Sequence, residues 1–120
     1  MVSNSWYVLQ STHNKETSDD LNQLVQNKHL DWEITTLFYS ALHIINEYFL
    51  QRGIPLPDKH DQRTPLVRNT LNQIYPEYQK LLILSIRTRY LVNYNSIKPK
   101  ERQDALDCFN IISSHIRSII

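Results

Sequence analysis

The chain has 120 residues, 41% of them hydrophobic and 21% charged, and thirteen basic against twelve acidic side chains give a formal charge of +1. That length suits one core, and that composition excludes global disorder. A single glycine excludes a P-loop and a Gly-rich dinucleotide loop and argues against a turn-rich β fold, while the balanced charge lacks the footprint of a strong non-specific nucleic-acid binder.

Residues 1–14 carry no clear period, and Trp6, Tyr7, Val8 and Leu9 are their only apolar group. They read as a loosely ordered arm over residues 1–17 whose aromatic pair docks on the body, a domain spanning residues 18–120. Ser18, followed by Asp19 and Asp20, predicts an N-cap with acids in the first turn. Leu21, Leu24 and Val25 then make a short amphipathic helix.

The next segment, about residues 30–51, is apolar on too many sides for a surface helix. Ile34, Leu37, Phe38, Ala41, Ile45 and Tyr48 form one stripe, and Leu42, Ile44 and Phe49 widen it beyond what one covered face requires. Tyr39, His43, Asn46 and Glu47 form a narrow polar seam between. Such a helix is buried on two sides, which predicts a central element of a bundle that also dimerises. Gly53 supplies a left-handed cap, and Pro55 and Pro57 make the exit extended. Asp58 caps a third helix that starts near Pro65 or kinks there. Pro76 opens a fourth helix, carrying Tyr78, Leu81, Leu82 and Ser85 inward as far as about Leu91. After a turn at residues 93–96, Pro99 starts a last helix striped by Ala105, Leu106, Phe109, Ile112, Ile116 and Ile120. The expected fold is all-α: an antiparallel bundle of four to five helices.

The lone Cys108 has no internal partner, which fits a reducing compartment. No apolar run approaches the roughly 18 residues of a membrane span, and no signal peptide opens the chain. A cytoplasmic location away from membranes is therefore expected.

Chemistry concentrates at residues 87–95. Arg87 and Arg89 flank one helix end beside Tyr90, Asn93 and Asn95, a set able to hold a phosphate and stack a base. The plainer alternative pairs one arginine with a carboxylate or a helix-terminal carbonyl. His60 and Arg63, with Lys59 and Arg68, form a second basic rim at a helix start, or else a solvated charged face. His43 and Glu47 share a helix face, yet two ligands fall short of the three or four that zinc generally needs, so neither metal nor cofactor is expected. Asp31 and Trp32 most simply cap the long helix and anchor an indole.

These residues carry a resemblance. Asp31-Trp32, the run Phe38-Tyr39-Ser40-Ala41-Leu42-His43, the Gly53 exit, His60 and Arg63, then Tyr78, Leu81, Ser85 and Arg89-Tyr90, resemble the HEPN domain superfamily over about residues 18–120. The resemblance implies a helical bundle, often a two-fold dimer, and many such proteins are metal-independent endoribonucleases of toxin–antitoxin, phage-defence and CRISPR-associated systems. It also implies an active motif of arginine, four to six residues, then histidine, in which histidine moves a proton and arginine steadies phosphorane charge. Here five residues separate Arg87 from Asn93 and five separate Arg89 from Asn95, and no histidine follows either arginine until His115. Asparagine hydrogen-bonds phosphate but moves no proton near neutral pH. The expectation is a catalytically degenerate HEPN-like homodimer binding RNA or a cognate protein. The alternative is a metal-independent endoribonuclease built from Arg87, Asn93 and His43.

Overall fold

The computed structural model of the chain describes residues 5–120, the side chain of His60 excepted. Five α-helices make up the fold: α1 (Trp6–Leu24), α2 (Leu30–Gln51), α3 (His60–Thr70), α4 (Tyr75–Ile86) and α5 (Pro99–Ile119). Single 3-10 turns sit at Asn72–Ile74 and Tyr94–Ser96, α4 runs on into a π-helical turn at Arg87–Leu91, and no strand occurs among the described residues.

Side-chain contacts give each helix its direction. Ser11 and Ser18 of α1 meet Ser40 and Glu33 of α2, so the two run antiparallel. Arg87 and Lys80 meet Glu101 and Asp104, which sets α4 and its π turn antiparallel to α5. Arg102 meets Glu33 while Arg52 donates to the carbonyl of Ile119, so α2 and α5 run parallel. The result is an up-down-up-down arrangement of four long helices, with α3 inserted between the second and third. The antiparallel expectation therefore holds for consecutive long helices but not for the α2–α5 pair.

α2 is the central element. Ile34, Leu37, Phe38, Ala41, Leu42, Ile44, Ile45 and Phe49 are all buried, as the two-sided stripe requires. Val67, Leu71, Ile74, Tyr78, Leu81, Ile112 and Ile116 complete the core. The Gly53 cap is present. Gly53 has φ of 69°, its amide bonds to the carbonyl of Leu50 at 3.2 Å, and the Ile54 amide bonds to Phe49 at 2.9 Å. This is the paired six-to-one and five-to-two pattern of a Schellman motif. A Cβ at position 53 would meet nothing within 4 Å, so the backbone conformation alone sets the effect of a side chain there. Gly53→Ala is expected to lose about 1–2 kcal/mol in chemical denaturation.

Several expectations are corrected. Over its described part, the arm assigned to residues 1–17 is the first three turns of α1, and the boundary at residue 18 falls inside that helix. Residues 1–4 of that arm lie outside the described residues. The N-cap is Ser5, which accepts from the Val8 amide at 3.2 Å and donates to the Glu47 carboxylate. Ser18 is no cap; it is fully buried and donates to the carbonyl of Glu33 at 3.1 Å. The contact between α1 and α2 is built largely from serines: each hydroxyl of the Ser11–Ser40 pair bonds the other's carbonyl, at 2.8 and 2.7 Å. Small side chains let two backbones approach, and the exchanged bonds satisfy the buried hydroxyls. One wide face of α2, expected to await a second protomer, is thus covered by the chain's own first helix. α3 begins five residues before Pro65 with Lys59 at the N-cap, and no side chain of Asp58 caps it. Ile120, expected on the inner stripe of α5, is 44% exposed.

Candidate nucleic-acid interface

The end of the bundle where α2 begins and α4 ends brings together most of the residues of interest. The N-cap of α2 is His29, whose carbonyl accepts from the Glu33 amide at 3.0 Å. Thr35, one turn on, faces Thr88 of the π turn at 3.3 Å. A π turn carries one more residue per turn than its α-helix neighbours and often marks functional positions. Here the Val92 amide reaches back five residues to the carbonyl of Arg87.

Arg89 is held from several sides. Its Nε donates to the carbonyl of Ser85 at 3.2 Å, and one terminal nitrogen donates to the Tyr39 hydroxyl at 2.9 Å and more weakly to Tyr90 at 3.5 Å. Its guanidinium carbon lies 5.7, 5.4 and 5.0 Å from the ring centres of Phe38, Tyr39 and Tyr90, within cation–π range. The cation is fixed in place, and its second terminal nitrogen makes no hydrogen bond among the described residues. Arg87 is differently placed. Its Nε donates to Glu101 at 2.7 Å with a second, longer contact at 3.5 Å, an ion pair that lowers the Glu101 carboxyl below its ordinary range. Glu101 also accepts the Lys98 amide at 3.2 Å and so ties the π turn to the start of α5. Arg87 is therefore partly neutralised, as the plainer alternative supposed.

Around this end lie exposed rings. Trp32, Tyr90 and Tyr94 are 59%, 72% and 68% exposed, and Asn93 and Asn95 are exposed beside them. Two clefts meet at Trp32. One, of about 220 Å³, is lined by Asp31, Trp32, Thr35, Thr88 and Arg89. The other, of about 310 Å³, is lined by Lys28, His29, Asp31, Trp32 and Tyr94. Sequence reasoning took Asp31 and Trp32 for a cap and an indole anchor of the long helix and passed over Lys28 and His29. The available signal was position alone, because a helix's first turn and a distant turn share one end of a bundle.

The other expected site residues lie elsewhere. His43 stands on the side of α2 facing α1, its ring 5.1 Å from that of Trp6 and 6.2 Å from that of Tyr7. No hydrogen bond among the described residues joins it to residues 87–95, although Tyr39, one turn earlier, reaches Arg89. Arg63 is buried and donates to the Pro57 carbonyl at 3.1 Å, with the hydroxyls of Tyr78, Tyr39 and Tyr7 near it. It is an interior cation and not part of a basic rim. The side chain of His60 lies outside what is described. Among the described residues, no group of three or more histidine, cysteine or acidic side chains is placed to hold a metal. No helix is long and apolar enough to cross a membrane.

Burial, helped by the Arg63 cation, holds the His43 imidazole below its ordinary value of 6.5. The unfolded chain then takes up the proton more readily than the folded one. The stability this supplies is present above pH 6.5 and is lost as pH falls through the folded value. Tm is expected to drop between about pH 7 and about pH 5, and His43→Gln to shrink that drop; an unchanged pH slope in the variant would refute the assignment.

Compared with known proteins, the chain matches no family model, no curated protein and no solved structure.

Proposed function

We propose that this chain is a HEPN-like helical module that binds single-stranded RNA without cleaving it. The observation that carries this reading is Trp32: an exposed indole on which two clefts converge, one bringing Arg89 and the other Lys28, His29 and Tyr94. Exposed rings offer sequence-tolerant stacking worth about 1–3 kcal/mol per base, and the exposed Lys28 beside them is a cation for the backbone. With a formal charge of only +1, affinity is modest and falls as salt rises. Pairing of two copies stays within the proposal on a changed motive. α1 already covers α2, so a partner copy falls to exposed side chains such as Leu50 and Ile120 at the opposite end.

The test is fluorescence anisotropy with a short labelled single-stranded RNA at low salt. Trp32→Ala and Arg89→Ala are each expected to weaken binding about tenfold. Arg87→Ala is expected to act less, since its cation is already paired with Glu101. No binding by the parent, or undiminished binding by both variants, would refute the proposal.

One observation favours the second reading, metal-independent cleavage. His29 lines a cleft with Tyr94, which puts an imidazole at the same end as Arg89 where His43 is not. Incubation with mixed RNA in EDTA separates the two readings. Binding without cleavage leaves intact RNA, whereas 2′,3′-cyclic phosphate ends that vanish in His29→Ala would establish the ribonuclease.

A further inference from the structure

The smaller cleft beside Trp32 has a polar inventory that is short and specific. The Thr35 hydroxyl donates to the carbonyl of Asp31 at 2.8 Å and the Thr88 hydroxyl to that of Ser85 at 3.0 Å. Each hydroxyl has one proton, so neither threonine has a donor left for a ligand. What remains is the Asp31 carboxylate, which has no partner among the described residues, the uncommitted end of Arg89 and the indole N–H at the edge of the Trp32 ring. A carboxylate repels phosphate, so the backbone of an RNA does not belong in this cleft. Its volume of about 220 Å³ is also below the roughly 300–1,000 Å³ that encloses a drug-sized ligand, which leaves room for one ring system.

The ring system that matches is guanine. A carboxylate accepts two parallel hydrogen bonds, and guanine alone among the four RNA bases offers two adjacent donors, N1–H and the N2 amino group, on one edge. The neighbouring O6 and N7 are acceptors, and an arginine is their commonest specific partner. Adenine and cytosine present one amino donor beside a ring acceptor, and uracil one ring N–H between two carbonyls. Each would leave an Asp31 oxygen facing an acceptor. We infer that the cleft lined by Asp31, Trp32 and Arg89 selects guanine in single-stranded RNA: Trp32 stacks on the base, Asp31 accepts from its N1–H and N2 amino group, and Arg89 donates to its O6–N7 edge. This rests on the RNA-binding reading above and specifies the base taken at that site. Asp31 thereby has a task beyond favouring the helix dipole at the start of α2.

The experiment compares three short uridine-rich RNAs that differ at one central position: guanosine, inosine, which lacks only the N2 amino group, or adenosine. The intact protein is expected to bind the guanosine RNA about tenfold more tightly than the adenosine RNA, with inosine between. Asp31→Asn keeps the shape but replaces one acceptor by a donor, and should bring the guanosine and inosine affinities together while retaining the Arg89-dependent preference of both over adenosine. Equal affinity of the parent for all three RNAs would overturn the guanine assignment and leave RNA binding standing. So would an Asp31→Asn variant that binds every RNA more tightly by the same factor, since Asp31 would then act only by repulsion. Binding of none of the three at low salt would overturn both readings.

Discussion

Replacing Phe38 by alanine is expected to lower stability by about 3–5 kcal/mol, measured by urea or guanidinium denaturation. The ring is 1% exposed in the middle of α2, the helix that every other long helix packs against. Its removal opens a cavity where α2 meets α4, and the surrounding backbones are too constrained by neighbouring packing to collapse into it. A second consequence is functional. The Phe38 ring lies 5.7 Å from the Arg89 guanidinium and 5.3 Å from the Tyr39 ring. The variant should therefore lose RNA affinity even at temperatures where it remains folded, because the cation's supporting rings shift. A loss below about 1 kcal/mol would mean that the core is not centred on this ring.

Arg102→Met is expected to be as damaging, for an electrostatic reason. Glu33 is fully buried, and among the described residues it pairs with Arg102, whose Nε lies 2.9 Å from the carboxylate; Asp19 is a more distant second partner of Arg102 at 3.9 Å. Removing one member of such a pair leaves a buried charge uncompensated, a cost of about 3–5 kcal/mol. Replacing both, as in Glu33→Leu with Arg102→Met, should recover most of that loss, since an apolar pair of similar volume avoids the desolvation. The pH dependence distinguishes this account from lost packing. Burial raises the Glu33 carboxyl above its ordinary value of 4.5 even with Arg102 present. A raised carboxyl favours folding below the unfolded value and ceases to do so as pH rises through the folded one. The Arg102→Met deficit should therefore shrink as pH is lowered toward about 4.5 and grow above it. A deficit independent of pH would assign the effect to packing.

Most of the core was legible along the chain because α2, α4 and α5 bury apolar residues at helical spacing. Their boundaries follow from local chemistry: Gly53 in a left-handed cap, and Pro76 and Pro99 in first turns. α1 was hidden because its buried face is made of Ser11 and Ser18, which carry no apolar period. A serine reads as a cap or a loop until its partner, here Ser40 or the Glu33 carbonyl, is known. The same blindness produced the expectation that α2 needs a second protomer, since a face looks unpartnered when its covering helix has been taken for an arm.

The candidate site divides in the same way. Arg87, Arg89, Tyr90, Asn93 and Asn95 stood out from composition within one short segment, and a cation beside amides and rings is a local pattern. Trp32, Asp31, Lys28 and His29 lie more than fifty positions before them, and nothing in their own neighbourhood ties them to that segment. Tertiary packing decided the difference between two adjacent arginines: Glu101 takes Arg87, while Tyr39 and three rings hold Arg89. It also turned Arg63 from an expected surface cation into a buried one. The sequence by itself determined that this chain is all-helical, where four of its five helices lie and which faces of the long ones are apolar, because those depend on spacing and on single-residue backbone preferences. Only the tertiary structure decided which polar groups are spent on each other and which stay open to solvent, because that depends on partners brought together from distant parts of the chain.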